Sequence, residues 1–198
     1  MKYPQAIQNL INYFSRLPTV GPKTAERYVF YLLKENPEEL QKFAHAIAEL
    51  KEKTIVCGVC RAISDKNPCL VCSDKKRDQS KICIVANSRD MLAIESINEY
   101  NGLYHVLGGL LNSIKDVKPK DLFINSLADR IKKNNFKEII LALNPTIEGE
   151  TTAMYLTKIF KPENIKITRL AKGLPTGADL EYADEITLAN AIKFRNEL

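Results

Sequence analysis

Ile82-Cys83-Ile84-Val85-Ala86 is five apolar residues in a row with no polar residue alternating between them. A strand written this way has both faces covered, which is the habit of a parallel sheet inside helical layers. The pattern downstream keeps to that reading. It predicts a helix over 90–99, a strand at Tyr104-His105-Val106-Leu107, a helix over 122–132 and a strand at Ile139-Ile140-Leu141-Ala142-Leu143. A helix over 151–160, a strand over 165–170 and a closing helix over 186–194 complete the series. Strands alternating with helices predict an α/β half with a mostly parallel sheet.

Upstream the pattern changes. Asp74-Lys75-Lys76-Arg77-Asp78-Gln79-Ser80 reads as a solvated connector and the best domain boundary. Before it, Ile7, Leu10, Ile11, Phe14 and Leu17 recur at steps of three and four, which predicts an amphipathic helix. That helix stops at Leu17-Pro18, and Pro22 opens a second one carrying Ala25, Val29, Leu32 and Leu33. So short a link makes the pair a helical hairpin. A third helix begins at Asn36-Pro37-Glu38-Glu39, with Asn36 as cap, and directs Leu40, Phe43, Ala44, Ile47 and Leu50 inward. The whole is an α+β chain of several parts.

In 198 residues, 45% hydrophobic and 27% charged usage is that of a globular chain. No apolar run approaches the roughly 18 to 20 residues that span a bilayer, and the first 13 residues are too polar for a signal peptide, so a soluble, cytoplasmic chain is expected. The net charge of +5 is mild, but its distribution is uneven. Residues 1–34 hold Lys2, Arg16, Lys23, Arg27 and Lys34 against Glu26 alone, whereas residues 35–79 balance eight against eight and residues 80–198 hold 16 against 15. A polyanion-binding surface belongs first in the opening 34 residues.

Cys57-x-x-Cys60 and Cys69-x-x-Cys72 are separated by eight residues. Two such pairs close a tetrahedral thiolate site, and four protein ligands leave no position for a reacting water, so one structural Zn²⁺ per chain is expected. Paired disulfides and a redox pair fit less well: the cytoplasm is reducing, and the cysteines precede the α/β pattern instead of ending one of its strands. Cys83, in mid-strand, reads as a small buried apolar residue.

Leu17-Pro18-Thr19-Val20-Gly21-Pro22-Lys23-Thr24-Ala25 is the second constellation. A tight turn centred on Gly21 would expose N–H groups at a helix start, with Lys23 and Arg27 one turn apart on that helix. It resembles a helix-hairpin-helix motif, which grips DNA phosphates without reading bases, and Gly21, Lys23 and Arg27 are its candidate contacts. The alternative is a plain helical hairpin with solvated cations. Gly21-Pro22-Lys23-Thr24 lacks the upstream glycine and preceding strand of a phosphate loop.

Asn144-Pro145-Thr146-Ile147-Glu148-Gly149-Glu150 places Glu148 and Glu150 at the carboxyl edge of the sheet, where α/β folds bind ligands. The two acids fit a helix start or a protein contact better than a metal site, for want of a third carboxylate. Asp184-Glu185 likewise reads as an exposed helix start. His45 is a surface or boundary residue, and His105, followed by Gly108-Gly109, a structural one.

The hairpin, the four cysteines and an α/β half with Arg89-Asp90-Met91-Leu92-Ala93-Ile94-Glu95, Gly102-Leu103-Tyr104-His105-Val106-Leu107-Gly108-Gly109, Asn144 to Glu150 and the closing Gly177-Ala178-Asp179-Leu180-Glu181-Tyr182-Ala183-Asp184-Glu185 stand in one order. Together they resemble the RecR family of bacterial recombination mediators along essentially the whole chain. The resemblance implies a helix-hairpin-helix region over 1–56, a four-cysteine zinc finger over 57–72, a Toprim domain over 80–175 and a C-terminal oligomerisation segment over 176–198. It also implies a ring clamp around DNA, a homo-oligomer of four, that binds RecO, and RecF where present, to help load RecA onto gapped single strands. Glu148 and Glu150 would then be partner contacts. Toprim enzymes and most RecR proteins carry a glutamate just after the first strand; the matching residue here is Ala86, and Asn87 and Ser88 also depart from the pattern. Two functions follow: a non-enzymatic DNA-clamp adaptor, or a metal-dependent Toprim nuclease, primase or topoisomerase-like enzyme. The missing oxygen at Ala86 and the lack of a tyrosine nucleophile domain favour the adaptor.

Overall fold

The computed structural model describes residues 3–171 and 173–195, which form two compact units divided after Thr54. The first holds α1 (Gln5–Phe14), α2 (Pro22–Leu32) and α3 (Pro37–Glu52). Helices α1 and α2 bury Ile11, Ala25 and Val29, with Ile7, Phe14 and Val20 packed against them. Phe14 meets Tyr28 edge-on at 5.8 Å. Leu17 and Leu33 stay exposed, each lying beyond the last residue of its helix.

Helix α3 starts as its sequence predicts. Pro37 occupies the first turn, and the Asn36 side chain accepts from the Glu39 N–H at 2.9 Å. Its apolar face does not go inward. Phe43, Ile47 and Leu50 are 45%, 58% and 64% exposed, and none of the helix's residues is buried. Periodicity marks an apolar face correctly; whether anything covers it is a separate matter.

The second unit opens with the strand pair β1 (Ile55–Val56) and β2 (Ile63–Ser64), antiparallel, followed by the one-turn helix α4 (Leu70–Ser73). Then come β3 (Asp78–Val85), α5 (Ser88–Glu95), β4 (Gly102–Val106), α6 (Ile124–Lys133), β5 (Glu138–Ala142), α7 (Ile147–Phe160), β6 (Lys166–Arg169) and α8 (Glu185–Lys193). The four long strands form one all-parallel sheet in the order β4-β3-β5-β6. Strand β3 begins inside the expected connector: the Asp78 N–H donates to the Asn101 carbonyl at 2.7 Å.

The uninterrupted apolar run of β3 follows from covering on both faces. Ile82 and Ile84 enter one core with Leu127, Ile139, Leu156 and Phe160. Cys83 and Val85 point the other way, into a core with Tyr104, Val106, Met91 and the buried cysteines Cys57, Cys60 and Cys69. The cysteine segment is thus a wall of the sheet's own core.

Strand β4 lies at the sheet edge, where its outward N–H and C=O groups need partners. The Gly102 carbonyl accepts from Arg77 at 2.7 Å and the Tyr104 carbonyl from Arg130 at 2.5 Å. The Val106 N–H donates to the Cys60 carbonyl at 2.8 Å. Two arginines and one cysteine backbone therefore close this edge. Beyond β4, Gly108 sits at φ +85°, and a Cβ there would come within 3.1 Å of the Phe123 ring, so a glycine is required.

Candidate functional site

The four cysteines are brought together. Cys57, Cys60 and Cys69 are buried, Cys72 is half-buried, and their sulfurs all lie within 4.8 Å of one another. A tetrahedron of sulfurs about 2.3 Å from a central ion has edges of about 3.8 Å. The Cys60–Cys69 Sγ separation of 3.5 Å approaches that spacing and is far from a disulfide bond.

The local chain builds this cluster by tight turns. Cys57 donates from its N–H to the Ala62 carbonyl at 2.8 Å, and Arg61, in the left-handed region at φ 66°, donates back to the Cys57 carbonyl at 3.0 Å. The Asn67 side chain accepts from the Gly58 N–H at 2.8 Å, tying the first turn to the second cysteine pair. The Cys69 N–H points at the Cys57 sulfur, 3.4 Å away. The thiols share charge unequally: a hydrogen bond from Cys72 holds Cys60 down to about 5, the same bond pushes Cys72 up, and burial pushes Cys69 up to about 11. A bound cation would replace these protons outright. The donor set and spacing fit a soft or borderline metal ion.

In the hairpin, the left-handed residue is Thr19, at φ 66°, and not Gly21. The Val20 N–H closes the turn on the Leu17 carbonyl at 3.1 Å. Gly21 is the extended N-cap of α2 and supplies no side chain to its first turn, and a Cβ there would meet nothing within 4 Å. Lys23 and Arg27 are both exposed, while Ala25 and Val29 between and beyond them are buried.

Glu148 and Glu150 both fall in the first turn of α7, which starts at Ile147, four residues earlier than the sequence reading. The Thr146 hydroxyl caps that turn by accepting from the Gly149 N–H at 3.1 Å. Gly149 is there because a Cβ would stand 1.9 Å from the Asn144 carbonyl oxygen. The two acids face different clefts. Glu148 accepts from the Asn112 amide at 3.2 Å and lines a cleft of 610 Å³ with Ala86, Asn87, Gly109 and Lys115. Glu150 pairs with Arg169 at 3.1 Å in a cleft of 660 Å³ that also holds Asp90 and Asp184.

At the carboxyl end of β3, Ala86 is buried. Asn87 caps α5, accepting from the Arg89 and Asp90 N–H groups, and the Ser88 hydroxyl accepts from the Ile63 N–H at 2.9 Å. These residues spend their polarity on the helix start and on the cysteine segment. Asp184 is likewise the N-cap of α8.

His45 lies 2.9 Å from Glu49 on exposed α3. His105 is fully buried; its Nε2 meets the Phe123 carbonyl at 3.0 Å, whereas its Nδ1 has no partner among the described residues. The satisfied histidine expected there is only half satisfied. Burial, with the charges of Arg130 and Arg61, presses it down to about 4. Sequence reading overlooked Arg130 and placed Arg77 in a solvated connector, whereas the Arg77 side chain is nearly buried against Glu95 and the Gly102 carbonyl; both arginines reach across to other elements and carry no local signature. Asn87 was legible as a cap from Asn87-Ser88-Arg89-Asp90.

Comparison with known proteins gathers these parts. The chain matches the RecR helix-hairpin-helix family over residues 7–51, the Toprim domain over 80–171 and the RecR C-terminal family over 173–196. It is 47% identical to recombination protein RecR of Staphylococcus aureus (strain MRSA252) and 47% identical to that of Staphylococcus haemolyticus (strain JCSC1435). In both cases all 198 residues align and the whole of each chain is covered. With hairpin, sheet and closing segment each matched in place, the chain belongs to the RecR family of recombination proteins.

Proposed function

We propose that this chain is a non-enzymatic DNA clamp of recombinational repair, acting in the cytoplasm with RecO, and RecF where present, to help load RecA on gapped single strands. The observation that carries the DNA reading is the exposed Lys23–Arg27 pair beside the uncapped start of α2, in the part of the chain that holds most of the excess positive charge. Gly21, Lys23 and Arg27 contact phosphates; Glu148 and Glu150 contact protein partners from two separate clefts. The division into 1–56, 57–72, 80–175 and 176–198 belongs to the same proposal.

Assembly into a homo-oligomeric ring of four is supported by apolar surface at both ends of the chain. Phe43, Ile47 and Leu50 of α3, and Ile186 and Ile192 of α8, are each at least 45% exposed. No helix among the described residues is long and apolar enough to cross a membrane. The metal of the cysteine centre is Zn²⁺: four thiolates in a tetrahedral spacing suit it, and with no open ligand position it supplies cross-linking and not catalysis.

The reading is non-enzymatic because the cleft at the end of β3 presents Ala86 where a carboxylate would be needed beside Glu148. Metal-dependent DNA cleavage that survives repurification and vanishes in Glu148→Gln would reverse it. The DNA contact is tested by replacing Lys23 and Arg27 with Ala and titrating binding against salt, with RecO present. Two lost phosphate contacts flatten the slope of log K against log salt by about 1.8 per hairpin on duplex DNA. An unchanged slope in the folded variant removes these residues from the DNA surface.

A further inference from the structure

Four thiolates around a divalent cation leave two net negative charges, and here they sit among buried apolar side chains. Within the cysteine segment the Cys69 N–H meets the Cys57 sulfur at 3.4 Å, but a further positive charge comes from outside it. Arg130, on α6, donates to the Tyr104 carbonyl at 2.5 Å, with its guanidinium 5.9 Å from the Phe136 ring centre. Tyr104 packs in the same core as Cys57, Cys60 and Cys69. Two residues along β4, the Val106 N–H donates to the Cys60 carbonyl at 2.8 Å.

A second route closes the circuit. Arg61, next to Cys60, donates through Nε to the Ser126 hydroxyl at 3.3 Å and lies over the Phe123 ring at 5.4 Å. Ser126 and Arg130 are four residues apart on α6 and so share a face. Cys60, Arg61, α6, Arg130, β4 and back to Cys60 form one closed path of contacts. Among the described residues no carboxylate pairs with Arg130. Its opposite charges are the four cysteines, each of which favours the charged guanidinium and so works against burial, which lowers its pKa.

We propose that Arg130 is the counter-charge of the four-cysteine centre, a positioning residue on the far side of the sheet edge that sets how tightly the chain holds its metal. The inference rests on the reading that the centre binds Zn²⁺. It makes metal binding depend on the docking of α6, so that cysteine segment and sheet are one electrostatic unit.

The test uses the full-length protein with zinc as the probe. Zinc affinity is measured by chelator competition in the unaltered chain, R130K, R130Q and R130M, together with the denaturant stability of the zinc-loaded and zinc-free forms. The expected result is a tenfold to hundredfold loss of affinity in R130Q and R130M, the range for partners just outside a metal's ligands, with most affinity kept in R130K. If R130M does not fold, R130Q decides. Equal destabilisation of loaded and zinc-free protein with unchanged zinc affinity would overturn the inference and leave Arg130 a mere cover for the Tyr104 carbonyl. An unaltered chain that takes up no zinc would overturn the metal reading, and this inference with it.

Discussion

The two compact units of this chain are held together in opposite ways. Among the described residues the first buries only Ile11, Ala25 and Val29, and its longest helix, α3, buries nothing. The second covers its sheet on both faces, ties down its open edge with Arg77, Arg130 and Cys60, and gathers four cysteines in one of its cores. About 54 residues with so small a core are marginal as an independent fold, whereas a parallel sheet with two covered faces is not. The contrast is one of cores: the second unit closes its own, and the first leaves the apolar face of α3 uncovered.

The largest effect that could sharpen this contrast is metal removal. Structural zinc contributes about 10 to 16 kcal/mol of apparent binding free energy in zinc-finger peptides. Chelation, or Cys69→Ser, is therefore expected to strip amide-exchange protection from residues 55–73 and to loosen β4 through the Cys60–Val106 bond. Peptides from residues 3–54 should exchange as before. Equal loss in both units would break the contrast.

Core truncation comes next. Leu127 is fully buried among Ile82, Leu156 and Phe160, so Leu127→Ala leaves a cavity that cannot collapse and belongs near the top of the 2 to 5 kcal/mol range. Ile11→Ala, in a site already 7% open, belongs near its foot. Denaturant midpoints of the two variants measure the difference. A larger loss at Ile11 would mean that the first unit has a core as tight as the second.

Acid acts on the second unit through His105. Its folded pKa of about 4 lies below the ordinary 6.5, so the unfolded chain binds the extra proton first. Stability is then fully present above pH 6.5 and is lost as pH falls through 4, by about 3 kcal/mol in all. Metal loss in acid also contributes, so the informative quantity is the difference from His105→Asn, which lacks the titrating ring. The variant's stability should fall less between pH 7 and 4.5; parallel curves would show that His105 is not held neutral.

How much of this was legible follows from the kind of signal each part carries. The strands of the sheet were legible because a doubly covered strand has to be apolar throughout, as Ile82-Cys83-Ile84-Val85 is. The cysteine cluster was legible because ligand geometry imposes spacing. What failed to show depended on distant chain. Placing the start of α7 at Thr151 instead of Ile147 hid the fact that Glu148 and Glu150, two residues apart on a helix, must diverge. The turn was centred on Gly21, but its left-handed residue is Thr19, and Gly21 is the extended residue that opens α2. Arg130 gave no signal at all, since its partners lie on β4 and in the cysteine segment.

The smallest expected effect bears on the first unit's dependence on a cover. Helix α3 is 16 residues long and buries none of them, and isolated helices of about that length are marginal in water. Its Asn36 cap, which takes the Glu39 N–H at 2.9 Å, therefore carries a larger share of its stability than a cap does on a packed helix. Asn36→Ala should cost about 1 kcal/mol, seen as faster amide exchange across residues 37–52 with residues 55–195 unchanged. Protein concentration separates an intrinsic from a borrowed stability. If a second copy covers Phe43, Ile47 and Leu50, association stabilises α3 by mass action, so the exchange difference between variant and unaltered chain should be large in dilute protein and shrink as concentration rises. A difference that stays constant over a hundredfold range of concentration would mean that no copy of the chain covers this face.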